Sequence, residues 1–214
     1  MLENYVCKIY VSMTHDFSSK ILEATAFGFD DGQQKKILTA AHVVTNFLEK
    51  YPSNNPQILY VIFQNHLGPV NTTPVSVEFI LNDCNDHSNF EDKMPFVDSA
   101  EMVLPSGMQQ PVSDFFKRRD PVANMHTFGV GYKLGQTLLS TFLGKIQRIA
   151  DKHSGQHCTS RFVIKHNNRP GCSGGPYIIS DGAEYYVVGS LIGEIGYESG
   201  ESSPTLSVQS SANF

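Results

Sequence analysis

With 16 Lys and Arg against 21 Asp and Glu, the 214-residue chain carries a formal net charge of −5 and has no general basic field for nucleic acid. An apolar fraction of 40% and a charged fraction of 17% are ordinary for a globular protein, and the length suits one domain or two small, tightly packed halves. No stretch reaches 18 apolar residues in a row, so no membrane partner is expected.

The N-terminus, MLENYVCKIYVSM, carries an acid early and lacks a cationic start, an apolar core and a small-residue cleavage site. It does not read as a secretory signal. Its YVCKIYVSM portion is the first strand candidate, followed by ATAFGF and KKILTAA. HVVTNFLEK then has the pattern of one or two helical turns. QILYVIF and VSVEFIL resume the strands, and NDCNDHSNFEDKMP, residues 82–95, reads as a long acidic loop. AEMVL closes the first group.

Residues 105–124, PSGMQQPVSDFFKRRDPVAN, are rich in Pro and charge and low in strand signal. They form the natural linker between halves 1–110 and 111–214, with KRR at 117–119 as a solvated loop. Beyond the linker come MHTFGV, RFVIKH, PYIIS and EYYVVGSLIG, then a serine-rich tail in which PTLSV offers a last strand. Short strands at such close spacing imply an all-β sandwich or barrel. Cys7, Cys84, Cys158 and Cys172 are unevenly spaced in a chain too long to need disulfide staples. A reducing interior, intracellular and cytoplasmic, is expected. Asn71-Thr-Thr matches a glycosylation acceptor but reads here as a polar turn.

Chemistry concentrates in RPGCSGGP, residues 169–176, where Cys172 and Ser173 stand side by side among glycines. A hydroxyl nucleophile needs a base, a group to orient that base, and donors for the oxyanion. Glycines around Ser173 let the backbone bend tightly and present the amides of Gly171 and Ser173 to a carbonyl oxygen. Cys172 then points away, as a packed neighbour. ILTAAHVV offers a base at His42, after an apolar strand and small residues. VDSAEMVL offers the orienting carboxylate, Asp98, at the head of an alternating strand whose Ala100, Met102 and Leu104 face inward.

LTAAH, DSAEMVL and GCSGGP, in that order, resemble the three catalytic motifs of chymotrypsin-fold serine proteases, TAAH, D-x-A-x-x-x-L and G-D/N-S-G-G-P. The resemblance spans residues 5–193. It implies an all-β fold of two packed six-stranded antiparallel barrels, His42 and Asp98 coming from the first and Ser173 from the second. FGVGYKLGQTLLS, residues 128–140, is similar to the IGNPFGLGQTVTS region of HtrA/Deg-type proteases. Gly131 stands where that family often has Pro, and Lys133 replaces a common Gly. The resemblance is thus to an HtrA-like protease domain without a PDZ domain, with picornain-like viral proteases as possible relatives. Intervals of 56 residues from His42 to Asp98 and 75 from Asp98 to Ser173 accommodate it.

That kinship implies a serine endopeptidase working through an acyl-enzyme on a protein or peptide substrate, with no cofactor and no metal. Secreted trypsin-like enzymes carry an aspartate before the serine, paired with a new N-terminus; Cys172 cannot form that ion pair, so the oxyanion turn must be shaped by internal packing or by a partner. Oxidation of Cys172 is a minor possibility beside the reading of a small buried residue. CNDH at 84–87 and HSGQHC at 153–158 contain possible zinc ligands but no paired C-x-x-C. The resemblance puts Asn167 near the floor of the specificity pocket, where the missing acid disfavours strict Lys or Arg preference. Leu191, Ile192 and Gly193 border the pocket and pair with a substrate strand. A small or medium apolar side chain fits such a pocket; His166 would instead favour Gln or Glu. Two other readings stay open: a catalytically impaired scaffold that binds extended peptides or needs a partner for activation, and a cysteine nucleophile at Cys172. Sequence leaves the oligomeric state undetermined.

Overall fold

The computed structural model describes residues 1–18, 21–48, 57–83, 98–154, 157–165, 171–195 and 205–209. Strands β1 (Val6–Ser12), β2 (Leu22–Asp30), β3 (Lys35–Thr39), β4 (Gln57–Asn65), β6 (Val75–Asp83) and β7 (Asp98–Val103) form one ring, with the two-residue β5 (Gly68–Pro69) folded back on β4. Their order is β1-β4-β6-β7-β3-β2, and antiparallel pairing of β2 with β1 closes it. A second ring uses β9 (His126–Tyr132), β10 (Leu139–Ser154), β11 (His157–Lys165), β12 (Pro176–Asp181), β13 (Glu184–Ile195) and β14 (Thr205–Gln209). It runs β13-β12-β9-β10-β11-β14 and closes through β13–β14. The fold is therefore two six-stranded antiparallel β-barrels, in which closure leaves no long unpaired edge.

Alternation along β1 and β2 explains why both read as nearly continuous apolar runs. Cys7, Ile9, Val11, Ala24 and Ala26 fill the first barrel. The second barrel has its own core, built on Ile146, Tyr177, Ile179, Val188 and Leu191. Between them lies a third layer. Val6, Phe27, Phe29 and Leu38 of the first ring meet Val130, Tyr132, Ile178 and Val187 of the second. Strands buried on both faces lose the polar half of their alternation.

The segment expected to be a linker holds one more strand, β8 (Phe116–Arg118), which pairs in parallel with both β2 and β13. Phe116 is fully buried in the inter-barrel layer and stacks on Tyr5 at 4.4 Å between centroids. Buried apolar area here overrides a weak local strand signal. The neighbouring cations stay at the surface, Arg118 with Asp120 and Arg119 with Asp181. The long β10 was also absent from the sequence reading, and the tail strand proves to be the ring-closing β14. The acidic segment starts later than expected, since Asn82 and Asp83 pair with Ser99 and Asp98. The rest of that loop, with Cys84 and His87, lies outside the described residues. His153 and Cys158 are backbone partners in the β10–β11 register. Asn71 is a structural turn residue: its amide accepts from the Phe63 N–H and donates to the carbonyls of Val61 and Thr73. No described helix is long and apolar enough to cross a membrane.

Candidate active site

Residues 171–175 form a turn entering β12. Gly171 (φ +92°) and Gly174 (φ +77°) occupy the left-handed region that favours glycine. Both also lack room for a side chain. A Cβ on Gly174 would collide with the Thr39 hydroxyl and lie 2.6 Å from the Ala40 nitrogen. One on Gly171 would strike the Leu134 nitrogen and lie 2.8 Å from the Tyr132 carbonyl. Cys172 is 1% exposed and packs in the second barrel's core, whereas Ser173 is half-buried. Cys172 is thus the small buried residue expected at this position.

The turn is held from both barrels. Within the second, Gly175 donates to the Cys172 carbonyl at 2.9 Å, Gly174 donates to the Leu191 carbonyl at 3.0 Å, and Leu191 donates to the Gly175 carbonyl at 2.8 Å. From the first barrel comes Thr25, which sequence reasoning missed. Its N–H donates to the Ser173 carbonyl at 2.9 Å, and its hydroxyl donates to the Gly171 carbonyl at 3.1 Å while accepting the Tyr132 N–H at 2.9 Å. The Thr25 carbonyl in turn accepts the Thr39 hydroxyl at 2.8 Å. The N–H and hydroxyl of this fully buried residue reach across the barrel boundary, while its carbonyl binds within the first barrel. Among the described residues, the backbone bonds of the turn include no acceptor for the N–H groups of Gly171 and Ser173.

His42 opens α1 (His42–Leu48). Ala40, Ala41, Val43 and Val44 around it are all fully buried, and His42 itself is half-exposed. Small, buried neighbours thus anchor a side chain that reaches the surface. Thr39, three residues earlier, pairs with Ala100 of β7, two residues beyond Asp98. Ala100 and Met102 point into the first core as expected, with Leu104 packed partly against it. Asp98 is the first residue of β7, opposite Asp83; its side chain lies outside the described residues. The backbone thus brings the Ser173 turn, the approach to His42 and the head of β7 to one end of the β3–β7 ladder.

Of the expected pocket residues, Asn167 and His166 lie outside the described residues, and Ile192 and Gly193 are described only as backbone of β13. There Ile192 sits at an irregularity in the pairing with β14, between the paired Leu191 and Gly193. Leu191, also expected at the pocket, is tied to the turn itself. Its N–H and carbonyl are both engaged by the nucleophile turn, and its side chain is buried.

Sequence comparison gives no matching family model and no matching curated protein. Structure does: the fold is that of the chymotrypsin-like double-barrel serine proteases. The Rv3671c protease of M. tuberculosis, in its inactive form, is 20% identical over 98% of this chain and 84% of its own, with a TM-score of 0.56. Anisep, a protease from Arthrobacter nicotinovorans, is 15% identical over 96% of this chain and 89% of its own, TM-score 0.57. Deg5 is 15% identical over 89% and 79%, TM-score 0.50.

Proposed function

We propose that this protein is a serine endopeptidase using Ser173 as nucleophile, His42 as general base and Asp98 to orient the imidazole. One observation carries the reading. The turn bearing Ser173 packs on Thr39 and Ala40, the residues leading into His42, on the strand whose Thr39 pairs beside the head of β7. The half-exposed serine and the core-buried Cys172 thiol favour Ser173 over Cys172, since a thiol without access to solvent or substrate is inert.

In this mechanism His42 removes the hydroxyl proton as Ser173 attacks a peptide carbonyl carbon. The resulting oxyanion accepts hydrogen bonds from the Gly171 and Ser173 N–H groups. His42 then gives its proton to the departing amine, the C–N bond breaks, and an ester to Ser173 remains. Water, deprotonated by His42, attacks that ester and releases the carboxylic acid product. The two barrels act as halves of one site, residues 1–110 supplying His42 and Asp98 and residues 111–214 supplying Ser173. No cofactor enters the scheme. On the resemblance, we assign Asn167, Leu191, Ile192 and Gly193 to the pocket for the residue before the cleaved bond, and to that pocket a small or medium apolar side chain. Within the fold, the LGQT run at 134–137 favours an HtrA-like kind of domain.

The test is digestion of an unstructured protein by the wild type and by Ser173→Ala, His42→Ala and Cys172→Ala. Cleavage should vanish in the first two, to at most about a thousandth of wild type, and persist within a few-fold in the third. Loss in Cys172→Ala with retention in Ser173→Ala would overturn the assignment.

A further inference from the structure

We propose that Lys8 and Glu23 are a positioning pair for the oxyanion turn: an ion pair on the first barrel that grips residues 133–136 of the second and, through them, fixes Gly171. The catalytic part of this inference rests on the protease reading; the mechanical part does not.

Lys8 lies in the middle of the apolar run of β1 and its side chain is 1% exposed. An ammonium buried that deeply costs several kcal/mol unless it is fully paired, and an apolar residue would fill the site at lower cost. What Lys8 holds is specific. Its Nζ lies 2.6 Å from Glu23 Oε2, donates to the Gln136 carbonyl at 3.1 Å, and sits 4.7 Å from the centre of the Tyr10 ring. Glu23 Oε2 also accepts the Gly135 N–H at 2.8 Å. The cation therefore takes the acceptor, and the anion the donor, of two successive residues in one turn. That turn is further closed by Gln136 donating to the Lys133 carbonyl at 3.0 Å, with Gly135 at φ +71°.

The same turn is the wall of the oxyanion site. Gly171 packs against the Leu134 nitrogen, the Tyr132 carbonyl and the Lys133 carbonyl carbon so closely that no Cβ fits. Lys8 and Thr25 are direct cross-strand partners in the β1–β2 register, and Tyr10 and Glu23 are the next pair along that face. One face of one ladder thus touches the oxyanion turn directly, through Thr25, and braces its wall, through Lys8 and Glu23. Cys172 carries no charge with which the turn could be anchored from within.

The double variant Lys8→Met/Glu23→Gln removes both charges without stranding either. Three measurements are made on the full chain: hydrogen exchange read by peptide, the rate of labelling by a fluorophosphonate, and kcat and KM on a cleavable peptide. Exchange should rise at least about tenfold in peptides covering 133–136 and 171–175 while β4 and β6 keep wild-type protection. Labelling and kcat should fall about 10²-fold, the loss typical of one oxyanion donor, with KM unchanged. If the double variant does not fold, Lys8→Met alone, which leaves the partly exposed Glu23 without its cation but still bonded to the Gly135 N–H, is read the same way. A wild type that does not label, with exchange still raised in both turns, upholds the brace and defeats the protease reading. Wild-type protection at 171–175, a uniform rise across both barrels, or an unaltered labelling rate overturns the brace.

Discussion

Thr25 is one hydroxyl and one peptide unit that tie together the Ser173 carbonyl, the Gly171 carbonyl, the Tyr132 N–H and the Thr39 hydroxyl. Replacing it with Val keeps the volume and strands the partly buried Gly171 carbonyl and the buried Tyr132 N–H. Such groups cost about 1–3 kcal/mol each when left unpaired. Thr25→Val is expected to lower stability by about that much in chemical denaturation and to slow serine labelling more than tenfold. Gly131 is a second such residue, since a Cβ there would lie 3.0 Å from the Cys172 Cβ and 3.2 Å from the Thr25 hydroxyl. The motifs around Ser173, His42 and Asp98, the residues of the proposed triad, can be read from the sequence because each is local. Thr25 and Lys8 cannot, because their partners on the second barrel lie far along the chain, 107 residues away at Tyr132, 146 at Gly171 and further still at Ser173 for Thr25, and 128 at Gln136 for Lys8. A single polar residue inside ATAFGF or YVCKIYV was the signal available, and it marks burial without naming the partner.

At the scale of elements, the strands with apolar runs were readable and β8 and β10 were not. The sequence of β10, LSTFLGKIQRIADKHS, mixes charges throughout, and its strand state comes from pairing on both sides, with β9 and β11. In β8 a three-residue strand is set by Phe116 entering the layer between the barrels. Phe116→Ala should cost about 3–5 kcal/mol, the usual figure for a fully buried phenylalanine. Because that layer joins the halves, one unfolding transition should shift as a whole rather than split, which calorimetry would register.

For the molecule as a whole, β2 and β3 meet the turn before β12, and on the proposed function agents that loosen this seam should silence the protein before they unfold it. Acid is one. Partial burial alone would raise the Glu23 carboxyl, but the Lys8 ammonium and the Gly135 N–H outweigh it and hold the group below its ordinary value of 4.5. A carboxylate depressed in the folded state adds stability that is complete above its ordinary pKa and is lost as pH falls through its lowered one. Wild-type stability should therefore decline as pH drops below about 4.5, and the decline should be shallower in Lys8→Met/Glu23→Gln. The most direct test of the central claim is intact-mass labelling with a fluorophosphonate at neutral pH, on wild type and on Ser173→Ala. A single adduct on the wild type that is absent from the variant is the expected result. No adduct on folded wild-type protein, or an adduct that survives the substitution, would contradict it and leave a double barrel that binds peptides without cutting them through Ser173.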